Sequence, residues 1–255
     1  MSVAGTLLFD CDGVLADTEL DGHLVAFNQA FHEFGHDIVW SPSEYAVLLE
    51  VGGGKERLRA YLAEHPDIAI AQGGDVDDAI AALHRRKSQI YIELVDAGAL
   101  PGRPGVRRLV HEALERGWRV AVASTSSEHS VQAVLRAVVG DDAVARISGV
   151  FAGDIVAAKK PAPDIYELAL RELDADPKRT IVIEDSPPGA LAAHRAGLRH
   201  IVTVSHFTKD ATFPYASAVL DHLGEPGVGA TLLAGTDVRD PAGVVDLDGL
   251  EAVLT

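Results

Sequence analysis

The chain has 255 residues, 47% of them apolar and 24% charged, the mixture of a soluble globular protein able to bury a sizeable core. Acidic residues outnumber basic ones 38 to 22, and the formal charge of −16 gives a surface that repels nucleic acid and anionic lipid, which argues against both as partners. The single cysteine, Cys11, allows no internal disulfide. The opening residues lack the basic region and long apolar run of a signal peptide, and no run approaches the ~18 apolar residues of a membrane span. These features predict a cytoplasmic protein.

In chain order, TLLF at 6–9 is a short apolar run that stops abruptly at Asp10. Residues 17–95 break the strand rhythm and read as helices, with AFNQAFHEF, YAVLLE, KERLRAYLAE and DDAIAALHRRKSQIYIELV as the periodic stretches and HPDIAIAQGGDVDD as a loop. Leu100-Pro101-Gly102 punctuates the return. Further apolar runs follow at 118–123, 181–183 and 200–204, alternating with helical patterns at 104–116, 127–139, 164–173 and 187–196. Short β-branched runs alternating with helices predict an α/β fold, a doubly wound parallel sheet with a Rossmann-like core. The core then comprises 1–16 and 96–255, and 17–95 is a helical cap domain inserted after the first strand. The Gly- and Pro-rich stretch after residue 222 predicts mostly surface loop, closed by a short helix over DLDGLEAVL.

Polar residues cluster just after the strands, where ligands bind in open parallel sheets. Asp10 and Asp12 sit two apart in FDCDG, so alternation points both to one side, and Gly13 lets the backbone approach a ligand. By itself Asp-x-Asp-Gly is equally the pattern of a turn. Ser124-Thr125-Ser126 offers hydroxyls and turn amides, and Lys160 precedes a proline that opens a helix. Glu184 and Asp185 end a buried strand, a costly placement unless they meet a cation. Cys11, between two same-facing aspartates, points the other way into the core and is read as inert.

These four motifs resemble those of the haloacid dehalogenase superfamily of phosphatases. FDCDGVLADTE, AFN at 26–28, GGGKER, ASTSSE, FAGD, KKPAPDIY and VIEDSPPGALAA extend the resemblance to the CbbY-like group and its neighbour β-phosphoglucomutase, up to about residue 224. The resemblance implies Asp10 as nucleophile, forming an aspartyl-phosphate, and Asp12 as the acid and base that serves the leaving oxygen and the attacking water. It implies Mg²⁺ held by Asp10, the backbone carbonyl of Asp12 and Asp185, with Glu184 orienting a metal-bound water or the lysine. Ser124 and Lys160, rather than Lys159, would hold the phosphoryl oxygens, with Thr125, Ser126 and Ser127 in the same substrate-binding turn.

The remaining motif, VGGGKER at 51–57, is not a P-loop, because Leu49 and Glu56 stand where that motif needs glycine and a hydroxyl. Gly52, Gly53 and Gly54 lead into a helix beginning near Lys55, whose free amides favour an anion. Gly53, Gly54, Lys55, Glu56 and Arg57 are thus candidates to bind a phosphate that is not cleaved; a flexible helix start with solvated charges is the alternative. Glu19 falls where the family places a polar contact to the sugar. His23 and Lys87 are candidates to line the cleft, or else belong to a solvated face, and the spacing between Glu19 and Ala26 departs by about one residue from that of shorter members, which leaves the cap-helix register at His23 open. The resemblance implies hydrolysis of a sugar bisphosphate, with xylulose 1,5-bisphosphate leading. A β-phosphoglucomutase-like mutase, or a phosphatase of another sugar phosphate, is the alternative. A small-molecule substrate and a monomer are expected.

Overall fold

The computed structural model describes residues 4–51, 53–71 and 74–254, so Gly52 of the glycine motif lies outside them. The chain forms two compact units: the segment ending at Asp17 together with the chain from Leu100 onward, and Thr18–Ala99.

The first unit is built on a seven-stranded sheet: β1 (Thr6–Phe9), β2 (Arg119–Ser124), β3 (Gly149–Ala152), β4 (Thr180–Glu184), β5 (Arg199–Thr203), β6 (Ala218–Leu220) and β7 (Leu232–Gly235). Their order is β3-β2-β1-β4-β5-β6-β7, parallel except for the antiparallel β6–β7 edge. The chain winds outward in both directions from β1, which makes the β1/β4 boundary a topological switch point. Phe9 is in register with Val122 on one side and Ile183 on the other, so the ends of β1, β2 and β4 lie side by side.

Strands β1 and β4 are buried throughout, as expected for strands covered on both faces. One face packs Leu8, Ala121, Ala123 and Val182 against α8 (Asp164–Glu172) and α9 (Pro187–Arg195), through Ile165, Tyr166, Ala169, Ala192 and Ala193. The unit also contains α5 (Val106–Glu115), α6 (Glu128–Val139), α7 (Asp141–Val144) and α10 (Leu247–Ala252). α9 starts where it does because Ser186 caps it, accepting from Gly189 N at 3.2 Å, and Pro187 follows with its φ already helical.

The tail differs from its expected loop character. It contributes β7 to the sheet, and Val238, Val245, Leu247 and Leu250 are buried. Arg108 on α5 donates to the carbonyl of Val245 at 2.5 Å, and Glu112 accepts from Leu247 N at 3.1 Å. Glycines and prolines here punctuate short packed pieces, and apolar positions this far apart carry no period that a sequence can display.

The second unit is helical: a π-helical segment Thr18–Leu24, then α1 (Val25–Glu33), α2 (Pro42–Leu48), α3 (Gly54–Glu64) and α4 (Val76–Asp96). Phe27, Phe31, Trp40, Tyr45, Leu58, Ile80 and Leu83 fill its core. Asn28 ties the α1–α2 connection by a pair of bonds to Trp40, donating to its carbonyl at 2.9 Å and accepting from its amide at 2.8 Å. Ser41 and Glu44 form a reciprocal capping box at α2, worth about 1 kcal/mol. The π-helical segment carries Glu19 and His23 into α1 with a turn wider than an α-helix's.

Candidate active site

The turn after β1 is set by three backbone bonds. Asp10 N donates to Ile183 O at 2.9 Å, Leu15 N to Cys11 O at 2.9 Å, and Gly13 N to Ala16 O at 2.8 Å. Gly13 has φ +77°, and a Cβ there would fall 2.1 Å from the Asp185 carboxylate, so this position requires glycine twice over. Cys11 is buried, which pushes its thiol pKa up and leaves it unreactive.

Asp10, Glu184 and Asp185 converge, each offering a carboxylate oxygen within 4.8 Å of the others'. Lys160, brought in from the segment before α8, donates to Asp10 Oδ1 at 2.6 Å, Glu184 Oε1 at 2.7 Å and Ala123 O at 3.1 Å. Its neighbour Lys159 instead pairs with Asp154 at 2.6 Å on the exposed surface. Glu184 is 0% exposed, and its oxygens also accept from the Tyr166 hydroxyl at 2.5 Å and the Asp185 amide at 3.1 Å. A Cβ on Gly189 would fall 2.0 Å from that carboxylate, so only glycine admits it against α9.

One ammonium bridges two of the three buried acids, and the titration shifts divide accordingly. Burial raises the Glu184 pKa, but the charge and hydrogen bond of Lys160, with the Tyr166 hydroxyl, outweigh it and hold the group below its ordinary value. Asp10 is pushed up to about 7, by burial first, with Lys160 opposing and Glu184 and Asp12 adding to the rise. Asp185 is raised well above the usual range by burial, then by Glu184 and Asp10. Lys160 stays protonated, since the two acids overcome its burial. Three buried carboxylates around one bound ammonium leave the cluster net negative, and its all-oxygen donor set fits a hard divalent cation such as Mg²⁺. The acceptors of Glu184 are already engaged, which makes Asp10 and Asp185 the better ligands and Glu184 the residue that orients Lys160.

Asp12 lies outside that convergence, half-buried, and its carboxylate accepts from the Ser126 hydroxyl. Ser124, ending β2, is buried and accepts from Ser126 N at 3.1 Å. Thr125 is half-buried in the same turn. Ser127 is turned to another task, capping α6 by accepting from Ser130 N at 3.3 Å. Thus Asp10, Asp12, Ser124, Ser126, Lys160, Glu184 and Asp185 meet around the ends of β1, β2 and β4.

Two contributors were not legible. Tyr166 reads as an α8 core aromatic, and only its hydroxyl on Glu184 and its ring under Lys160, 5.0 Å away, reveal the connection. Arg103, inside the turn-like PGRPG, donates to the Gly13 carbonyl and to Thr203 O at 2.8 Å. For Tyr166 the helical spacing from Ile165 and Ala169 signalled burial and nothing more; Arg103 had no signal.

In the helical unit, Gly53 (φ +92°) precedes α3, which begins at Gly54, one residue earlier than expected. Lys55 and Glu56 are exposed, and the Glu56 carboxylate lies 2.3 Å from where a Gly53 Cβ would stand. His84 Nε2 lies 2.5 Å from the corresponding point on Gly54. Arg57 is 8% exposed and donates to Leu48 O at 3.0 Å and Tyr45 Oη at 2.8 Å, while Tyr45 donates to Glu19 at 2.7 Å. Lys87, also buried, donates to His23 Nδ1 at 2.8 Å, and His23 packs on Tyr91 with ring centroids 3.9 Å apart. Burial, and then Lys87 and Arg57, push the His23 pKa well below its usual value, so it accepts as the neutral ring.

The profile of the haloacid dehalogenase-like hydrolases matches residues 5–197. A CBBY-like protein of Arabidopsis thaliana is 44% identical over 227 residues, 88% of this chain and 71% of that one. Protein CbbY of Cereibacter sphaeroides is 42% identical over 235 residues, 92% of this chain and 97% of that one. The crystal structure of CbbY from Rhodobacter sphaeroides in complex with phosphate matches with a TM-score of 0.71 at 42% identity, covering 89% of this chain and 97% of that one. A mutant of that CbbY, in complex with xylulose-(1,5)-bisphosphate, matches equally. A Thermotoga maritima protein provisionally identified as a β-phosphoglucomutase matches with a TM-score of 0.67 at 26% identity, covering 84% of this chain and 93% of that one. Among the described residues no helix is long and apolar enough to cross a membrane. The chain belongs to the haloacid dehalogenase-like hydrolase family, in its CbbY-like group, and is a hydrolase of phosphoric monoesters.

Proposed function

We propose that the chain is a Mg²⁺-dependent phosphatase of a sugar bisphosphate, xylulose 1,5-bisphosphate, acting through an aspartyl-phosphate on Asp10. The observation that carries the reading is the convergence of Asp10, Glu184 and Asp185 on one another at the sheet's switch point, with Lys160 bridging the first two. The choice of sugar is supported by the xylulose-(1,5)-bisphosphate complex of a relative 42% identical.

Asp10 attacks phosphorus, forming the carboxylate O–P bond as the P–O bond to the sugar breaks. Asp12 gives the leaving oxygen its proton and later takes one from the water that cleaves the aspartyl-phosphate. Ser124 and Lys160 hold the phosphoryl oxygens as charge develops on them, and Glu184 with Tyr166 keeps Lys160 aimed. Mg²⁺ on Asp10, the Asp12 carbonyl and Asp185, when bound, supplies the positive charge that lets a carboxylate approach a phosphate dianion. In the helical unit, Gly53, Gly54 and Lys55 bind the phosphate that is not cleaved, and Glu19 contacts the sugar. Arg57 acts there mainly through its charge, since its guanidinium is held by Leu48 and Tyr45.

Phosphate release with Mg²⁺ across xylulose 1,5-bisphosphate, ribulose 1,5-bisphosphate, fructose 1,6-bisphosphate and glucose 1-phosphate tests this. A strong preference for the first is expected; equal, weak turnover of mono- and bisphosphates would remove the substrate assignment and leave the phosphatase chemistry. The similarity to the Thermotoga protein favours one second reading, a mutase that returns the phosphate to another hydroxyl. Sustained conversion of glucose 1-phosphate to glucose 6-phosphate without phosphate release would select it.

A further inference from the structure

We propose that Arg103 is a positioning residue of the phosphoryl-transfer site: it fixes the Gly13 peptide, and through it the turn that carries Asp10 and Asp12. The inference rests on the phosphatase reading above. Arg103 N donates to Leu15 O at 2.9 Å, and Gly102 bridges Ala16, so its backbone already runs beside the turn after β1. Its guanidinium then spans three separate segments. Nη1 donates to the carbonyls of Gly13 and Thr203, the latter at 2.8 Å, and Nη2 to Val204 O at 2.6 Å and Asp221 O at 2.5 Å. Those carbonyls belong to the catalytic turn, the end of β5 and the end of β6.

Four carbonyls on one planar fork define the orientation of the Gly13 peptide, and an ammonium, a rotating point charge, does not define it in the same way. Gly13 is also the residue against which the Asp185 carboxylate lies, as its missing Cβ shows. A shift of this peptide therefore moves Asp12 and the floor under Asp185 together. Arg103 adds a fixed positive charge facing Asp185, Asp17 and Asp221 in a largely buried setting. A carbonyl staple with no part in the site would tie together the same segments but would leave the reacting groups indifferent to its geometry, and that difference can be measured.

The test compares Arg103→Lys with Arg108→Lys. Arg108 is a matched staple, since it donates to the carbonyls of Leu223, Gly224 and Val245 at the tail. Arg103→Lys keeps the charge and loses the fork. It should lower kcat on the best substrate of the panel by roughly tenfold to a hundredfold with KM little changed, the size of effect that a ~1 Å misplacement produces. Its affinity for Mn²⁺, read from the free-ion EPR signal without turnover, should fall in parallel. Arg108→Lys should lower Tm while leaving kcat and Mn²⁺ affinity at the wild-type values. Equal Tm losses with kcat and Mn²⁺ affinity retained in both variants would overturn the proposal. As a second variant, Arg103→Ala purified with guanidinium chloride should lose kcat on dialysis and regain it when guanidinium, but not ethylammonium, is restored. Unfolding on dialysis would assign the guanidinium to folding alone and overturn the proposal too. If the wild-type chain released no phosphate from any compound of the panel, the phosphatase reading itself would fail, whatever the Arg103 variants did.

Discussion

In the sheet unit three buried carboxylates crowd together and one ammonium bridges two of them, whereas in the helical unit Lys55, Arg57 and Lys87 gather with His23 and His84. The first arrangement pushes Asp10 and Asp185 toward protonation, by burial and then by mutual repulsion. The second pushes His23 and His84 toward neutrality, by burial and then by nearby cations. The same two causes act with opposite sign, which matches the proposal of a cation in one unit and an anion in the other. On that proposal an acidic chain needs no basic surface for a phosphorylated compound, because both fields are local.

The sharpest way to break this comparison is at Asp10. Asp10→Asn should reduce phosphate release by roughly 10³-fold or more, the scale of losing a nucleophile. Folding should be retained, because the substitution removes one member of a crowded acidic group. If every activity survived, the sheet unit would have no claim to the chemistry. Metal removal sharpens the same point. The folded pKa of Asp10, about 7, stands above its ordinary value of 3.8, so the folded state binds the extra proton between those limits. The Asp10 contribution to the stability of the chelated chain should then be full below about pH 4 and be lost as pH rises through 7. Mg²⁺ should raise Tm more at pH 8 than at pH 5, because it takes the proton's place among the acids. A flat pH profile after chelation would contradict the charge accounting.

Next in size is the contrast between adjacent lysines. Lys160→Met strips the ammonium from both Asp10 and Glu184, and orphaning a buried ion-pair partner costs about 3–5 kcal/mol. For a chain of this size that is a fall in Tm of roughly 10 °C, together with loss of activity. Lys159→Met, whose pair with Asp154 is exposed, should move neither. Calorimetry of the two variants decides it, and equal shifts would mean that the buried pairing contributes nothing.

How much of this was legible follows from the length scale of each signal. The strands β1, β2, β4 and β5 announce themselves as short β-branched runs, and the acids and hydroxyls that end them follow directly in the chain. β6 has only three residues, β3 is half-exposed, and β7 belongs to a Gly- and Pro-rich tail, so none of them carries a run that reads as a strand. Within the candidate site, polar residues that follow a strand end were legible in the chain, but those that reach it from elsewhere in the fold were not. The Arg103 side chain reaches carbonyls about 100 residues away, and the hydroxyl of Tyr166 only matters because α8 packs over β4. Arg57 shows the converse: its place in GGGKER marks it as an anion ligand, and only the fold reveals that its donors are occupied.

That last point yields the finest test, within the loop itself. Arg57→Met should destabilise the chain, since it removes a buried donor from Leu48 O and from the Tyr45 hydroxyl that donates to Glu19, while Lys55→Met should leave Tm unchanged and raise KM for a bisphosphate by about tenfold. The KM for a monophosphate should not respond to Lys55. Glu56 should act in the opposite direction. Its carboxylate sits over Gly53, at the amino end of α3, where it competes with any incoming anion for the same amides and dipole. Glu56→Gln keeps the shape and removes the charge, so KM for the bisphosphate should fall by roughly two- to fivefold, the modest scale of a charge at a helix end. A rise in KM would instead make Glu56 a direct substrate contact, binding a sugar hydroxyl, and would leave Lys55 as the sole charged residue of the loop available to the second phosphate.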